Sequence, residues 1–178
     1  MSSLKEKRKI MSKYVKILLQ AIALLSITLG VFSAQAMAKT NIQYEVINDD
    51  TLVLSGNGET EEAIEYGKEV KKSQIKKLII KEGITKITPL GIGKFESVRE
   101  VVLPDSLTEI GDATFAGYYK LKKVRFGKGL QTIAYLAFAS CISLEEIDIP
   151  DSVVEIGDAA FDGCNKLKEI LLPERLKE

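Results

Sequence analysis

One interval governs this chain: 23 residues. Phe115, Phe138 and Phe161 stand that far apart, and so do Ile110, Ile133 and Ile156, and Leu121, Leu144 and Leu167. The step runs through Leu78, Val101, Val124, Ile147 and Ile170, through Ile80, Leu103, Phe126, Ile149 and Leu172, and through Ile84, Leu107, Leu130, Val153 and Leu176. Copies open on segments such as LKKVRF at Leu121, LEEIDI at Leu144 and LKEILL at Leu167, apolar at the first, fourth and sixth places. The last apolar places alternate with polar ones, which suits a short strand buried on one face. A turn follows (PDS at Pro104 and Pro150, GKG at Gly127), then a second apolar segment that ends on the phenylalanine. One such unit is too small to cover its own apolar face, whereas stacked units merge their faces into one core. The period therefore predicts a solenoid with short parallel strands along one side. Each aliphatic side chain buried in this way contributes about 1.5–3 kcal/mol.

The residues from Ile149 to Leu167 read I-P-D-S-V-x-x-I-G-D-x-A-F-x-G-C-x-x-L, a pattern that resembles the BspA-like class of leucine-rich repeat. The resemblance extends over Ile75 to Leu176, and repeats of this class are expected over residues 75–178, about four and a half copies. The earliest copy departs from the pattern, with Ile92 in place of the phenylalanine and Pro89-Leu90-Gly91 in place of Asp-Ala-x, yet its apolar columns stay in register. The octets IGDATFAG (Ile110 to Gly117) and IGDAAFDG (Ile156 to Gly163) recur because one packing problem recurs. Gly111 and Gly157 are expected either where a side chain would crowd the next coil or where φ is positive. Ala113 and Ala159 are expected to be small so that coils approach, while Phe115 and Phe161 fill the core. Ala134 and Leu136 show a different solution in the middle copy.

Ahead of the repeats, Ile42, Tyr44 and Val46 alternate, Asn48-Asp49-Asp50 supplies turn chemistry, and Leu52 and Leu54 alternate again, the pattern of a β-hairpin. The stretch TEEAIEYGKEVKK predicts a short helix with Thr60 as N-cap and Ala63, Tyr66 and Val70 on one face, weakened by Gly67. Hairpin and helix together, residues 39–74, would cap the open first coil. Residues 1–38 read as a signal peptide: a Lys-rich start, the apolar run Ile17 to Phe32, and a small-x-small site at Ala36-Met37-Ala38 with cleavage before Lys39. The apolar run is short for a spanning helix, so contact with the membrane is expected to be transient. The chain holds 25 basic and 25 acidic residues; without the six basic residues and one acid of the leader, 19 and 24 remain. A body with that excess of acid repels phosphate backbones, which argues against nucleic acid as a partner.

With no histidine in the chain, a metal site or a Cys-His nucleophile is not expected, and no cofactor is implied. The fragments GNG at Gly56 and GIGK at Gly91 complete no phosphate-binding motif, and the second lies inside the repeat register. No catalytic constellation stands out, and an enzyme is not expected. Cys141 and Cys164 occupy one column in successive copies. They form either a disulfide, as an exported protein permits, or two buried free thiols. Phe95 and Tyr118 fill the same column earlier, which favours the thiols.

The strand-bearing face supplies the binding candidate. Lys77, Glu100, Lys123, Glu146 and Glu169 run beside Ile79, Val102, Arg125, Asp148 and Leu171. Alternating charge along the first column is expected to form a register-fixing ladder. Lys123, Arg125, Glu146 and Asp148 are the candidate contact patch for a protein ligand, with Ile79 and Val102 beneath the hairpin. The resemblance implies a secreted or cell-surface protein acting by protein–protein recognition or adhesion, toward host matrix or another cell-surface protein. The alternative is a structural, ligand-free scaffold at the amino-terminal end of a larger surface protein.

Overall fold

The computed structural model describes residues 42–60, 63–68 and 70–177 of the chain. The signal peptide expected over residues 1–38, with its site at Ala36, Ala38 and Lys39, lies outside them.

Strands β1 (Gln43–Ile47) and β2 (Thr51–Ser55) form the antiparallel hairpin, turning through Asn48 and Asp49 at φ 51° and 60°. Asn and Asp tolerate this left-handed region, which is why the turn falls there. The two-residue strand β3 (Gly58–Glu59) follows, then β4 (Lys77–Ile80), β5 (Ile84–Ile87) and the four-residue helix α1 (Pro89–Ile92). Each later coil contributes a strand on one side and a two-residue strand on the other: β6 (Glu100–Val102) with β7 (Glu109–Ile110), and β8 (Lys123–Arg125) with β9 (Thr132–Ile133). β10 (Glu155–Ile156) completes the second series.

These strands stack into two sheets, ordered β1-β2-β4-β6-β8 and β10-β9-β7-β5-β3. Apart from the hairpin, the pairings are parallel, and the register of the first sheet is the sequence period itself: Leu78 opposite Val101 opposite Val124. The result is a parallel-strand solenoid of about four turns, with little helix. Side chains pointing inward from both sheets make one core. Ile110, Phe115, Leu121, Ile133, Phe138 and Leu144 are fully buried, while Ile156, Phe161 and Leu167 are partly buried and pack against the same core. Phe115, Phe138 and Phe161 stack along the axis, with ring centroids 5.1 and 5.5 Å apart.

The first sheet accepts the hairpin side by side. β2 runs parallel to β4, placing Leu52 and Leu54 in the same core rows as Leu78 and Ile80. The hairpin therefore caps by extending the sheet. It does not cover Ile79 and Val102, which stand in one outward row with Val53 of β2.

The helix expected from Thr60 is absent among the described residues of that stretch. Tertiary partners take its polar groups. The Thr60 amide donates to the Lys86 carbonyl at 3.0 Å, and the Thr60 hydroxyl accepts from the Thr88 amide at 3.0 Å, so Thr60 serves the next coil and not a helix end. The Tyr66 hydroxyl donates to the Ile92 carbonyl at 2.8 Å, its ring lies against Tyr44 and Phe95, and the Gly67 amide donates to the Tyr44 hydroxyl at 2.6 Å. An extended path delivers Tyr66 to the aromatic cluster that stands where the first coil lacks its phenylalanine.

The octet also receives its reasons. Gly111 and Gly157 do not have positive φ; a Cβ on Gly157 would stand 2.5 Å from the Tyr135 nitrogen, and one on Gly111 would stand 3.1 Å from the Ile87 carbonyl oxygen. Crowding by the previous coil is the constraint there. Ala113 and Ala159 are not small for close approach. They take φ of 51° and 53°, Ala159 is exposed, and Leu136 occupies the equivalent place at 55°. The small buried residues fall one position later, at Thr114, Ala137 and Ala160. The Thr114 hydroxyl is satisfied there by the Gly111 carbonyl at 2.7 Å.

Candidate functional site

The outward face of the first sheet is built from alternate residues of its strands, because successive side chains of a strand point to opposite faces. One row carries Thr51, Lys77, Glu100 and Lys123, and the next carries Val53, Ile79, Val102 and Arg125. The second row is apolar beside the hairpin and becomes charged at Arg125. Beyond β8 the sheet thins to a single parallel bridge between Lys123 and Glu146.

Lys123, Arg125, Glu146 and Asp148, the four residues proposed from sequence, come together around one shallow hollow of about 390 Å³, whose lining also includes the core-packed residues between them, Val124, Phe126 and Ile147. The charges pair differently from a simple ladder. Glu100 receives Lys77 Nζ at 3.1 Å and Arg125 Nε at 2.8 Å, so Arg125 reaches back diagonally to the previous coil. A second set of pairs joins Lys122 to Glu145 at 3.8 Å and Lys166 to Glu145 at 3.6 Å. These are half-exposed contacts, each worth about 0–1 kcal/mol. They orient the basic groups more than they hold the fold.

Partial burial pushes the Glu100 carboxyl up, but the hydrogen bonds and charges of Lys77 and Arg125 outweigh it and hold the group below its usual value. A carboxyl depressed in the folded state adds stability that is full above its unfolded value, near 4.5, and is lost as pH falls through the folded one. Glu100→Gln should therefore unfold at a lower midpoint than the parent at neutral pH, and the difference should shrink in acid. Thermal melts of both proteins across pH 3–7 check this; a pH-independent difference would remove the ion triad as its cause.

A wider hollow of about 760 Å³, which the sequence did not single out, is lined by Glu146, Ile147, Lys168, Glu169 and Leu171. Leu171 is 72% exposed and Leu172 is 59% exposed, although Leu172 continues a column that is buried at Ile80, Leu103 and Ile149. The signal was present in the sequence as an apolar residue, Leu171, in the row that holds Arg125 and Asp148.

Cys141 and Cys164 are both buried free thiols. Their sulfurs point the same way, each 3.3 Å from a carbonyl of the preceding coil, Phe115 for Cys141 and Phe138 for Cys164. Among the described residues, no group of three or more Cys, Asp or Glu side chains is placed to hold a metal ion.

Comparison with known proteins agrees with this geometry. The family described as BspA type leucine rich repeat region (6 copies) matches residues 92–178. Among solved structures, the chain is similar to a leucine-rich repeat protein of T. pallidum, with 25% identity and a TM-score of 0.58 over 81% of this chain and 63% of that one. It is also similar to a leucine-rich repeat protein of Eubacterium ventriosum, with 21% identity and a TM-score of 0.56 over 71% of this chain and 34% of that one. A third, from Bacteroides ovatus, has 22% identity and a TM-score of 0.53 over 81% and 43%. The chain thus spans less than two-thirds of the length of each of these three. No curated protein matches it.

Proposed function

Because the repeats of this chain belong to the BspA-type leucine-rich-repeat class, we propose that it works by protein–protein recognition, without catalysis, through the outward face of its first sheet. The observation that carries this reading is the convergence of Lys123, Arg125, Glu146 and Asp148 on one open hollow. A rigid sheet presenting both signs of charge around one hollow can select a partner by charge pattern. The leader-like residues 1–38 and the repeat class support a place outside the cell, secreted or at the bacterial surface, with host matrix or another surface protein as the partner.

The test is binding of the full chain to a panel of purified extracellular-matrix proteins, alongside a variant with alanine at all four charged positions. The expected result is saturable binding to a panel member, weakened tenfold or more in the variant, about 1.4 kcal/mol, and weakened by salt in the parent. Binding that the variant retains in full, at an unchanged unfolding midpoint, would remove the patch. A second reading, a scaffold segment with no ligand of its own, draws support from the share of the T. pallidum structure that is matched, 63%. Absence of binding across the panel would favour it.

A further inference from the structure

We infer that Cys141 and Cys164 are a modification site: on meeting a small-molecule disulfide they become an intramolecular cross-link between successive coils. The two residues hold one column of the solenoid, and the backbone before each is paired coil to coil: the Phe138 amide donates to the Ala160 carbonyl at 2.8 Å and the Ser140 amide to the Asp162 carbonyl at 2.6 Å. Strand-like pairing spaces neighbouring backbones by about 4.7–4.9 Å. A disulfide spans Cα separations of about 4.4–6.8 Å, a range that includes the spacing of paired backbones.

One of the two side chains is already turned toward this outcome. Both point into the core, and Cys164 Sγ rests 3.3 Å from the Phe138 carbonyl, within the coil that carries Cys141. Cys141 faces the Phe115 carbonyl in the coil before, so closing the bond requires it to release that carbonyl and turn toward Cys164. Access sets the order of events. Cys164 is 9% exposed and Cys141 is fully buried, so an incoming reagent meets Cys164 first. The proton balance points the same way. Interaction with the neighbouring Cys164 thiol, with burial adding to it, pushes Cys141 above the ordinary thiol range, while the Cys141 thiol holds Cys164 below it. Thiolate character therefore gathers on the accessible partner.

The chemistry is thiol–disulfide exchange in two steps. Cys164 loses its proton to solvent, and its sulfur attacks the reagent disulfide, releasing one reagent thiol and leaving a mixed disulfide. Cys141 then loses its proton, and its sulfur attacks the Cys164 sulfur, releasing the second reagent thiol. Two protein thiols are oxidised, one reagent disulfide is reduced, and no other reactant is consumed.

The experiment treats the folded full chain with cystamine and follows intact mass. The parent should lose about 2 mass units through intramolecular closure and keep no adduct. Cys141→Ser should retain one cystamine half on Cys164, and Cys164→Ser should react far more slowly because the remaining thiol is shielded. The oxidised parent should melt roughly 5–10 °C higher than the reduced form, since the bond closes a loop in the unfolded chain, and reductant should reverse the rise. A stable adduct on the parent, a cross-link between two molecules, or no reaction until urea unfolds the chain would each overturn the inference. The parent's mass alone decides it, whether or not a serine variant folds.

Discussion

Phe138→Ala is expected to lower the unfolding free energy by about 3–5 kcal/mol, a large part of the total for a domain of this size. The ring is fully buried between Phe115 and Phe161, with near-parallel planes on either side, and the edge of Phe126 meets it at 6.1 Å. Truncation empties the centre of this stack, so the loss includes the transferred surface, the residual cavity and the ring–ring contacts. Position along the axis sharpens the expectation. Each coil of a solenoid rests on its neighbours alone, so the damage concentrates between the turns that carry Phe115 and Phe161, and the carboxy-terminal coils should melt before the hairpin end. Urea titration with hydrogen exchange on individual amides would show Ala160 and Asp162 losing protection while Leu54 and Leu78 keep theirs. A loss below about 1 kcal/mol, or uniform loss of protection, would contradict the stacked core.

The stack behind that loss is written in the 23-residue period itself. The phenylalanine, isoleucine and leucine columns were legible because parallel stacking converts a sequence period directly into register: Lys77, Glu100 and Lys123 are 23 apart and lie opposite one another. The four charged residues of the candidate patch were legible for the same reason, since period and strand alternation together fix the face and the row. Three things escaped. The stretch after Thr60 has helical spacing, but the aromatic cluster around Phe95 draws Tyr66 into an extended path, a long-range contact that local propensity does not encode. The pairing of Arg125 with Glu100 follows from the reach of a long side chain along a diagonal, which row-by-row reading omits. The left-handed places at Ala113, Leu136 and Ala159 carry no glycine to announce them.

The turn at Gly127 supplies the second large effect, because it looks interchangeable in sequence and is not so in space. Pro104, Gly127 and Pro150 hold one column, and PDS alternates there with GKG. A Cβ on Gly127 would collide with the backbone carbonyl of Pro104, and one on Gly129 with the backbone carbonyl of Asp105. The Lys128 amide, between them, donates to the Asp105 carboxylate at 2.8 Å. The GKG turn therefore lies closer on the previous coil than a proline turn could. Gly127→Ala should cost about 1–3 kcal/mol or more, since the atom it meets is backbone that cannot swing aside. Gly117→Ala makes the comparison, because its cost is conformational. Its φ is 71°, but the nearest atoms to a Cβ there lie 3.5 Å away, and Ser140 already holds the equivalent place at φ 59°. Its loss should stay near 1–2 kcal/mol. A triple exchange of Gly127-Lys128-Gly129 for Pro-Asp-Ser separates a crowded turn from an intolerant one. If the coil can take the geometry found at Pro104 and Pro150, the triple variant regains most of what Gly127→Ala loses, as denaturant melts of the three proteins would show. If it melts as low as the single variant, the glycines are required by the close approach of these two coils.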